Sequence, residues 1–260
     1  MELLQIIVMG VLVMAAGAFA FVAMMRRPTF YPELEAYLKK VQAHTVHISA
    51  DRKRALNELR DYAVQSMYQG RQASFLFLCV ENCGRSIMAQ VWMETMARTF
   101  ELPNLLSYSG GTQPEQLQPG MIKALHSAGL QVKLSQEMHD KHMTVQLGPQ
   151  YRSLNIFAKY FNDTSNPQRN FMAVATDKHT VPLLKSIKGA SAQVALKYHQ
   201  PHNAEEAMEL NFAIATEMMY LAREIKRAID PTYIHSTEMH KETAKRTRTV
   251  TPIPEHVVAA

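Results

Sequence analysis

Residues 75–92 read FLFLCVENCGRSIMAQVW, and this stretch decides the fold class. It opens with four consecutive apolar residues, which is typical of a strand buried on both faces. From Ser86 to about Phe100 apolar residues recur at helical spacing. The residues in between include two cysteines, a glycine and an arginine. The stretch therefore predicts a strand, a tight loop and a helix in direct succession.

Further strands and helices are predicted on both sides of this unit. Helices are expected over 31–43, 49–68, 119–128, 151–161 and 205–229, and strands over 105–108, 171–175 and 193–198, with Ser49 as a helix cap. Because strands alternate with helices, the pattern favours a three-layer α/β/α fold around a parallel sheet.

Four segments are predicted along the chain. They are a membrane anchor over 1–27, a helical lead-in over 28–72 that packs on the domain behind it, the main domain over 73–230, and a disordered tail over 231–260. The tail is expected because residues after Pro231 are mostly polar and include two further prolines.

The anchor prediction rests on residues 3–25, which carry no charge and are apolar on all faces. A run of this length spans a hydrocarbon core of about 30 Å as a helix. Arg26 and Arg27 follow it, and the positive-inside rule then leaves the rest of the chain in the cytoplasm. We expect a single-pass protein of the inner (cytoplasmic) membrane. The alternative is a buried core helix.

The composition limits the kinds of binding partner and cofactor that we expect. A formal net charge of +5 fits a protein that works against anions, but no stripe of basic and aromatic residues indicates nucleic acid. The two cysteines, Cys79 and Cys83, are too few for a disulfide framework or a four-ligand zinc site. The eleven histidines are scattered, so neither a metal nor an organic cofactor is indicated.

The loop between the predicted strand and helix carries the chemistry. Cys79 and Ser86 flank Val80, Glu81, Asn82, Cys83, Gly84 and Arg85. Backbone N–H groups at a helix N-terminus bind a tetrahedral oxyanion, and a guanidinium binds two of its oxygens at once. The same positive field favours a thiolate on Cys79, placed to attack the central atom. The other interpretation is a buried cysteine that ends a strand.

Two neighbours support the loop in this scheme. Ser86 is expected to hydrogen-bond the Cys79 sulfur, and Asn82 is expected to hold a left-handed turn.

These residues resemble the active-site segment of low-molecular-weight protein-tyrosine phosphatases and of thioredoxin-coupled arsenate reductases, and most of all a bacterial phosphatase-like branch. The resemblance extends to YPELEAYL at 31–38, YSGGT at 108–112, ALHSAG at 124–129 and NPQRNF at 166–171, and covers about 28–228. It implies that Cys79 is the nucleophile, Arg85 the anion clamp, and Asn82 and Ser86 the loop supports.

The sequence departs from that family at the proton donor. Where the family has an aspartate before a proline, this chain has Tyr198-His199-Gln200-Pro201. His199 is a candidate substitute for the acid, and Asp163 is a less favoured one.

The resolving thiols of the reductases are missing as well. Residues 176–182 contain no cysteine, which leaves Cys83 as a candidate redox partner for Cys79, one position earlier than usual in the family.

The sequence thus predicts a membrane-anchored, cysteine-dependent phosphatase that hydrolyses phosphomonoesters or phosphotyrosine. Two alternatives stay open: an arsenate reductase that uses an external thiol, and a non-catalytic module that binds oxyanions or phosphoproteins. The expected ligands are phosphate, arsenate or a phosphorylated substrate.

Overall fold

The computed structural model describes residues 28–135 and 141–233. The predicted membrane helix at 3–25 and residues 234–260 of the predicted tail lie outside the described residues. The prediction is wrong at the start of the tail, because residues 231–233 are helical and Tyr233 packs against the core. Within the described ranges, no helix combines the length and the apolar character needed to cross a bilayer.

The described residues form five α-helices and seven strands. The helices are α1 (Pro32–His44), α2 (Ala50–Tyr68), α3 (Arg85–Thr99), α4 (Pro119–Ser127) and α5 (Ala204–Ile229). The strands are β1 (Ala73–Leu78), β2 (Leu105–Gly110), β3 (Gln131–Leu134), β4 (His142–Gln146), β5 (Leu154–Phe157), β6 (Phe171–Ala175) and β7 (Ala190–Ala195). Two 3-10 helices cover Thr45–His47 and Val181–Ser186.

The main sheet has the strand order β2-β1-β6-β7, and its strands are parallel. Strand β1 lies in the middle, with β2 on one side and β6 on the other. The carboxyl ends of parallel strands meet at one edge of a sheet, which is where α/β proteins place their ligand sites. The predicted parallel sheet is confirmed.

Side chains of β1 alternate between two apolar cores. Phe75 and Phe77 pack in the larger core with the α-helices, whereas Leu76 and Leu78 pack in a smaller core on the opposite face. That smaller core is covered by the 3-10 helix Val181–Ser186 and its neighbours. Both faces of the sheet are therefore covered, as the three-layer prediction requires, but one outer layer is thick and the other thin.

Helices α1 and α2 add to the thick layer by packing against α5. Their buried residues Leu34, Leu38, Leu56 and Leu59 belong to the same core as β1. As predicted, Ser49 caps α2, its Oγ accepting from Arg52 N at 3.3 Å.

A second, antiparallel sheet has the order β3-β4-β5, and sequence reasoning missed it. The helix predicted over 151–161 is wrong, because this stretch contains β5. Leu154 and Ile156 are buried while Asn155 between them is exposed. That is the two-residue period of a strand.

The last strand of the main sheet begins and ends earlier than the predicted 193–198. Strand β7 spans Ala190–Ala195, and Lys197 has a positive φ of 35°. A lysine rarely adopts this left-handed conformation, and it ends the extended chain. Tyr198 N still donates to Thr176 O at 2.9 Å, so the chain after β7 stays beside the end of β6.

Candidate active site

Cys79 follows β1 directly, and residues 79–84, named here the cysteine loop, lead into α3 at Arg85. The Cys79 side chain is buried, and its Sγ lies 3.0 Å from Ser86 Oγ in the first turn of α3. Cys79 N donates to Gly110 O at 3.3 Å, which ties the start of the loop to the end of β2. The contact expected between Cys79 and Ser86 is present.

Asn82 holds the loop together from inside. It is fully buried and has a positive φ of 45°, the left-handed turn predicted for it. Its Nδ2 donates to Ser86 Oγ at 2.8 Å, and its Oδ1 accepts from Lys159 N at 2.9 Å. The Ser86 hydroxyl, whose oxygen accepts from Asn82, is thereby free to donate its proton to the Cys79 sulfur.

The carbonyl groups of the loop are bound by the segment after β2. Val80 O accepts from Thr112 N and Gln113 N, both at 2.9 Å, and Cys83 O accepts from Gln118 N at 3.0 Å. Gly111 permits this close approach, since a Cβ there would lie 2.5 Å from Val80 O. Carbonyl oxygens engaged in this way do not face an anion, as an oxyanion loop requires.

Arg85 is the first residue of α3 and is 8% exposed. Its Nη2 lies 3.5 Å from Asp177 Oδ2 and 3.7 Å from Glu81 Oε2. Its Nη1 lies 3.5 Å from Tyr198 O. The guanidinium thus contacts groups from three parts of the chain.

Asp177 is the site residue that sequence reasoning missed. Its carboxylate is fully buried, and Oδ2 accepts from Val80 N at 3.0 Å. Oδ1 accepts from Thr180 N at 2.7 Å and from Thr180 Oγ1 at 3.1 Å. The sequence does contain a pattern that points to Asp177: it follows the apolar strand β6 just as Cys79 follows β1. The ends of these two parallel strands meet at one edge of the sheet.

Tyr198, whose carbonyl meets Arg85, is fixed by the helical layer. Its hydroxyl donates to Glu217 Oε2 at 2.5 Å, and Arg52 of α2 pairs with Glu217 Oε1 at 2.7 Å. The Arg52 guanidinium also lies 4.6 Å from the centre of the Tyr198 ring. Burial raises the pKa of Glu217, against the opposing effect of Arg52. Helix α2 therefore helps to position Tyr198, whose carbonyl meets Arg85.

Cys83 differs from Cys79 in its surroundings. Both thiols are free and buried. Burial, followed by the neighbouring Cys79, Glu81 and Glu115, raises the pKa of Cys83 to about 12. The Cys83 thiol is therefore protonated at neutral pH and is a poor nucleophile. Its role as a redox partner stays a prediction.

Neither candidate proton donor forms a side-chain hydrogen bond with the cysteine loop within the described residues. The His199 side chain is exposed, and among the described residues no hydrogen bond joins it to the loop. Asp163 accepts instead from Ser165 N at 2.8 Å and from Ser165 Oγ at 2.6 Å, within its own turn. Those hydrogen bonds lower the pKa of Asp163. Its carboxylate therefore carries no proton to donate at neutral pH.

A cavity of about 70 Å³ borders Cys79. It is lined by Leu78, Cys79, Gly111, Thr112, Phe161, Thr180, Leu183, Ser186 and Ile187. Most of this lining is apolar, and the cavity is small beside the roughly 300–1,000 Å³ of ordinary ligand pockets. It has room for a small group next to the sulfur.

Fold and site together define an α/β domain whose main sheet is parallel, with a buried, cysteine-containing loop at the carboxyl edge of that sheet. No protein-family model matches the sequence, and no curated protein matches it either.

Solved structures do resemble the chain, and they include low-molecular-weight protein tyrosine phosphatases. The low-molecular-weight phosphotyrosine phosphatase of Vibrio cholerae O395 is 14% identical, with 57% of this chain and 93% of that chain covered and a TM-score of 0.41. A low-molecular-weight protein tyrosine phosphatase of Bacillus subtilis is 16% identical, with 59% and 97% covered and a TM-score of 0.41. YfkJ of Bacillus subtilis is 18% identical, with 58% and 95% covered and a TM-score of 0.41. Similarity at this level does not assign an activity.

Proposed function

We propose that this chain is a cysteine-dependent phosphatase that hydrolyses phosphomonoesters through a phosphocysteine on Cys79. One observation carries the proposal: Cys79 Sγ lies 3.0 Å from Ser86 Oγ, at the point where a buried strand gives way to a helix headed by Arg85. This arrangement supplies a nucleophile, a hydrogen-bond donor for its thiolate, and a cation for the bound anion.

The reaction follows in two displacements. The Cys79 thiolate attacks phosphorus, the S–P bond forms, and the P–O bond to the leaving group breaks. The departing oxygen takes up a proton from an acid or from water. Water then attacks the phosphocysteine, the S–P bond breaks, and inorganic phosphate and the thiolate are released. Arg85 and the loop N–H groups other than those of Cys79 and Val80, which donate to Gly110 O and Asp177 Oδ2, stabilise the charge on the phosphoryl oxygens in both steps.

The nature of the proton donor sets the preferred leaving group. Positions 199–201 hold His, Gln and Pro, so no carboxylic acid is present in this segment. Without a positioned acid, leaving groups that are stable as anions react best, and a general acid contributes roughly 10²- to 10⁴-fold. We therefore expect aryl phosphates, including phosphotyrosine, to be hydrolysed in preference to alkyl phosphates.

A second candidate function is a non-catalytic oxyanion-binding module. It is favoured by the same missing acid at positions 199–201. Arsenate reduction is less favoured, because the protonated Cys83 thiol is poorly suited to resolve an intermediate on Cys79, and an external thiol is then needed.

The test is steady-state hydrolysis of para-nitrophenyl phosphate by the full-length chain and by its Cys79→Ser variant. The expected result is turnover that falls on the order of 10⁴-fold or more in Cys79→Ser, because the nucleophile is lost. Isothermal titration with inorganic phosphate provides the control, since the variant keeps Arg85 and the loop. Phosphate binding without turnover by the parent would instead establish the binding module.

We also propose that residues 3–25 tether this activity to the inner membrane. The support is the uncharged apolar run followed by Arg26 and Arg27. Recovery of the full-length chain from cells in the carbonate-washed membrane pellet is the expected result. Recovery in the supernatant would refute the tether without affecting the proposed chemistry.

A further inference from the structure

Two carboxylates share one nitrogen of the anion clamp. Arg85 Nη2 lies 3.5 Å from Asp177 Oδ2 and 3.7 Å from Glu81 Oε2. A substrate phosphoryl group that binds Arg85 meets both of them. Arg85 and the two carboxylates in contact with it therefore carry one positive and two negative charges before any anion binds.

The two carboxylates differ in what else holds them. Asp177 is fully buried and accepts three further hydrogen bonds, one from Val80 N and two from Thr180. The Glu81 side chain is 32% exposed, and Arg85 is its ion-pair partner within the described residues. Of the two carboxylates, Glu81 is therefore the one that fewer contacts hold in place.

We propose that Glu81 determines substrate specificity at this site by favouring phosphorylated substrates that carry a positive charge beside the phosphate. The proposal rests on the proposed phosphatase function and refines it. Once a phosphoryl group takes Arg85, the displaced Glu81 carboxylate remains tethered to the loop, close to the phosphoryl charge. Repulsion between them lowers affinity for a bare phosphate. A lysine or arginine side chain of the substrate replaces Arg85 as the partner of Glu81 and offsets this repulsion.

Glu115 provides a matched control. Its side chain is exposed, and its backbone N–H donates to Glu81 O at 2.9 Å, so it lies in the same part of the surface. Like Glu81, it contributes to the raised pKa of Cys83. Among the described residues, only Glu81 and Asp177 form ion pairs with Arg85. Glu115→Gln therefore removes one nearby negative charge without freeing the clamp.

The experiment uses the full-length chain, Glu81→Gln, Glu81→Ala and Glu115→Gln. Hydrolysis is measured on two phosphotyrosine peptides of equal length, one with lysine and one with serine on each side of the phosphotyrosine. We expect the parent and Glu115→Gln to hydrolyse the lysine peptide with a kcat/KM about fivefold higher than that for the serine peptide. For both Glu81 variants the preference should fall below about twofold. An effect of this size is what a partly exposed ion pair contributes. Isothermal titration should show inorganic phosphate bound about three- to fivefold more tightly by the Glu81 variants.

The outcomes separate the two proposals. An unchanged lysine preference in both folded Glu81 variants, or a parent that prefers the serine peptide, refutes the role of Glu81 while the phosphatase proposal stands. Tighter phosphate binding by the Glu81 variants, with no turnover by any protein, supports the role of Glu81 in anion binding and refutes the phosphatase. No phosphate binding by any variant overturns both. Thermal unfolding of each variant identifies any that fails to fold, and the second Glu81 substitution then decides.

Discussion

The cysteine loop and the segment at 197–201 leave the same edge of the same sheet, yet they are built differently. The side chain of Asn82 in the loop and that of Ser86 at the start of α3 are buried and hydrogen-bonded to each other. In the later segment, only Tyr198 is buried, and the His199 side chain is exposed. Buried polar contacts therefore fix the cysteine loop, whereas His199 in the later segment is exposed. The predictions below test this difference, beginning with the largest expected effect.

Replacing Asp177 tests how far the buried contact between Asp177 and Arg85 stabilises the folded protein. Asp177→Asn leaves Arg85 without its buried partner and weakens the hydrogen bonds from Val80 N and Thr180. Removing one member of a buried ion pair costs about 3–5 kcal/mol, and we expect about 3 kcal/mol here because the amide keeps one acceptor oxygen. Urea unfolding at pH 7 measures it.

Asp61→Asn is the matched control for that change, because the Asp61 side chain is 67% exposed beside Arg60. Its free energy of unfolding should change by less than about 0.5 kcal/mol. If Asp177→Asn also changed the free energy of unfolding by less than about 0.5 kcal/mol, the buried contacts around the cysteine loop would not be important for stability.

Lys159, whose backbone supports the cysteine loop, tests how much its buried side-chain charge lowers the free energy of unfolding. Its backbone N–H holds Asn82, and burial lowers the pKa of its side chain to about 8. Below pH 8 the folded state carries a buried charge. Between pH 8 and the ordinary value of 10.5, the unfolded state binds more protons, so this residue makes stability rise with pH. Lys159→Met should therefore stabilise the protein by about 2 kcal/mol at pH 7, with the advantage shrinking by pH 10.

The control for that experiment is Lys133→Met, the same change on the exposed face of β3. Its effect on the free energy of unfolding should be small and equal at pH 7 and pH 10. An advantage of Lys159→Met that does not shrink with pH would show that packing and not charge is responsible.

A carboxylic acid added to the segment at 197–201 should supply the proton donor that this segment lacks. Gln200→Asp places an acid directly before Pro201, and we expect kcat for phenyl phosphate to rise about tenfold because phenolate leaves poorly without a proton. For para-nitrophenyl phosphate the gain should be less than about threefold. Gln200→Asn is the control. Equal gains on both substrates would mean that proton donation does not limit the reaction.

The smallest effect is expected at His199. Because its imidazole is exposed and unconnected to the loop, His199→Gln should change kcat for phenyl phosphate by less than about twofold. The pH–rate profile should also be unchanged. A fall of tenfold or more, with loss of one limb of the profile, would identify His199 as the acid and contradict the comparison.

Local sequence was sufficient for the centre of the site. The strand, loop and helix of residues 75–92 adjoin along the chain, and the turn at Asn82 follows from residue type. Asp177 was missed because its role depends on β6 pairing beside β1, a contact across nearly a hundred residues. Apolar periodicity does not reveal which charged residue a sheet edge brings to a loop.

The small antiparallel sheet was missed for a different reason. Strand β3 is mostly exposed, and β4 and β5 alternate buried with exposed residues over only five and four residues. Short polar strands resemble loops in a single sequence, and the apolar residues of 151–161 also fit a helix. Pairing with neighbours, which the sequence does not display, decided the outcome.

The central position of β1 has a consequence for biosynthesis. The ribosome completes β1 at Leu78, but its partner β6 ends only at Ala175 and the covering helix α5 only at Ile229. At about 5–20 residues per second, the nascent chain carries an unpaired FLFL edge and an exposed Cys79 for several seconds at least. The Cys79 thiol is therefore synthesised early but buried late, and β1 is open to pairing with other chains during that interval.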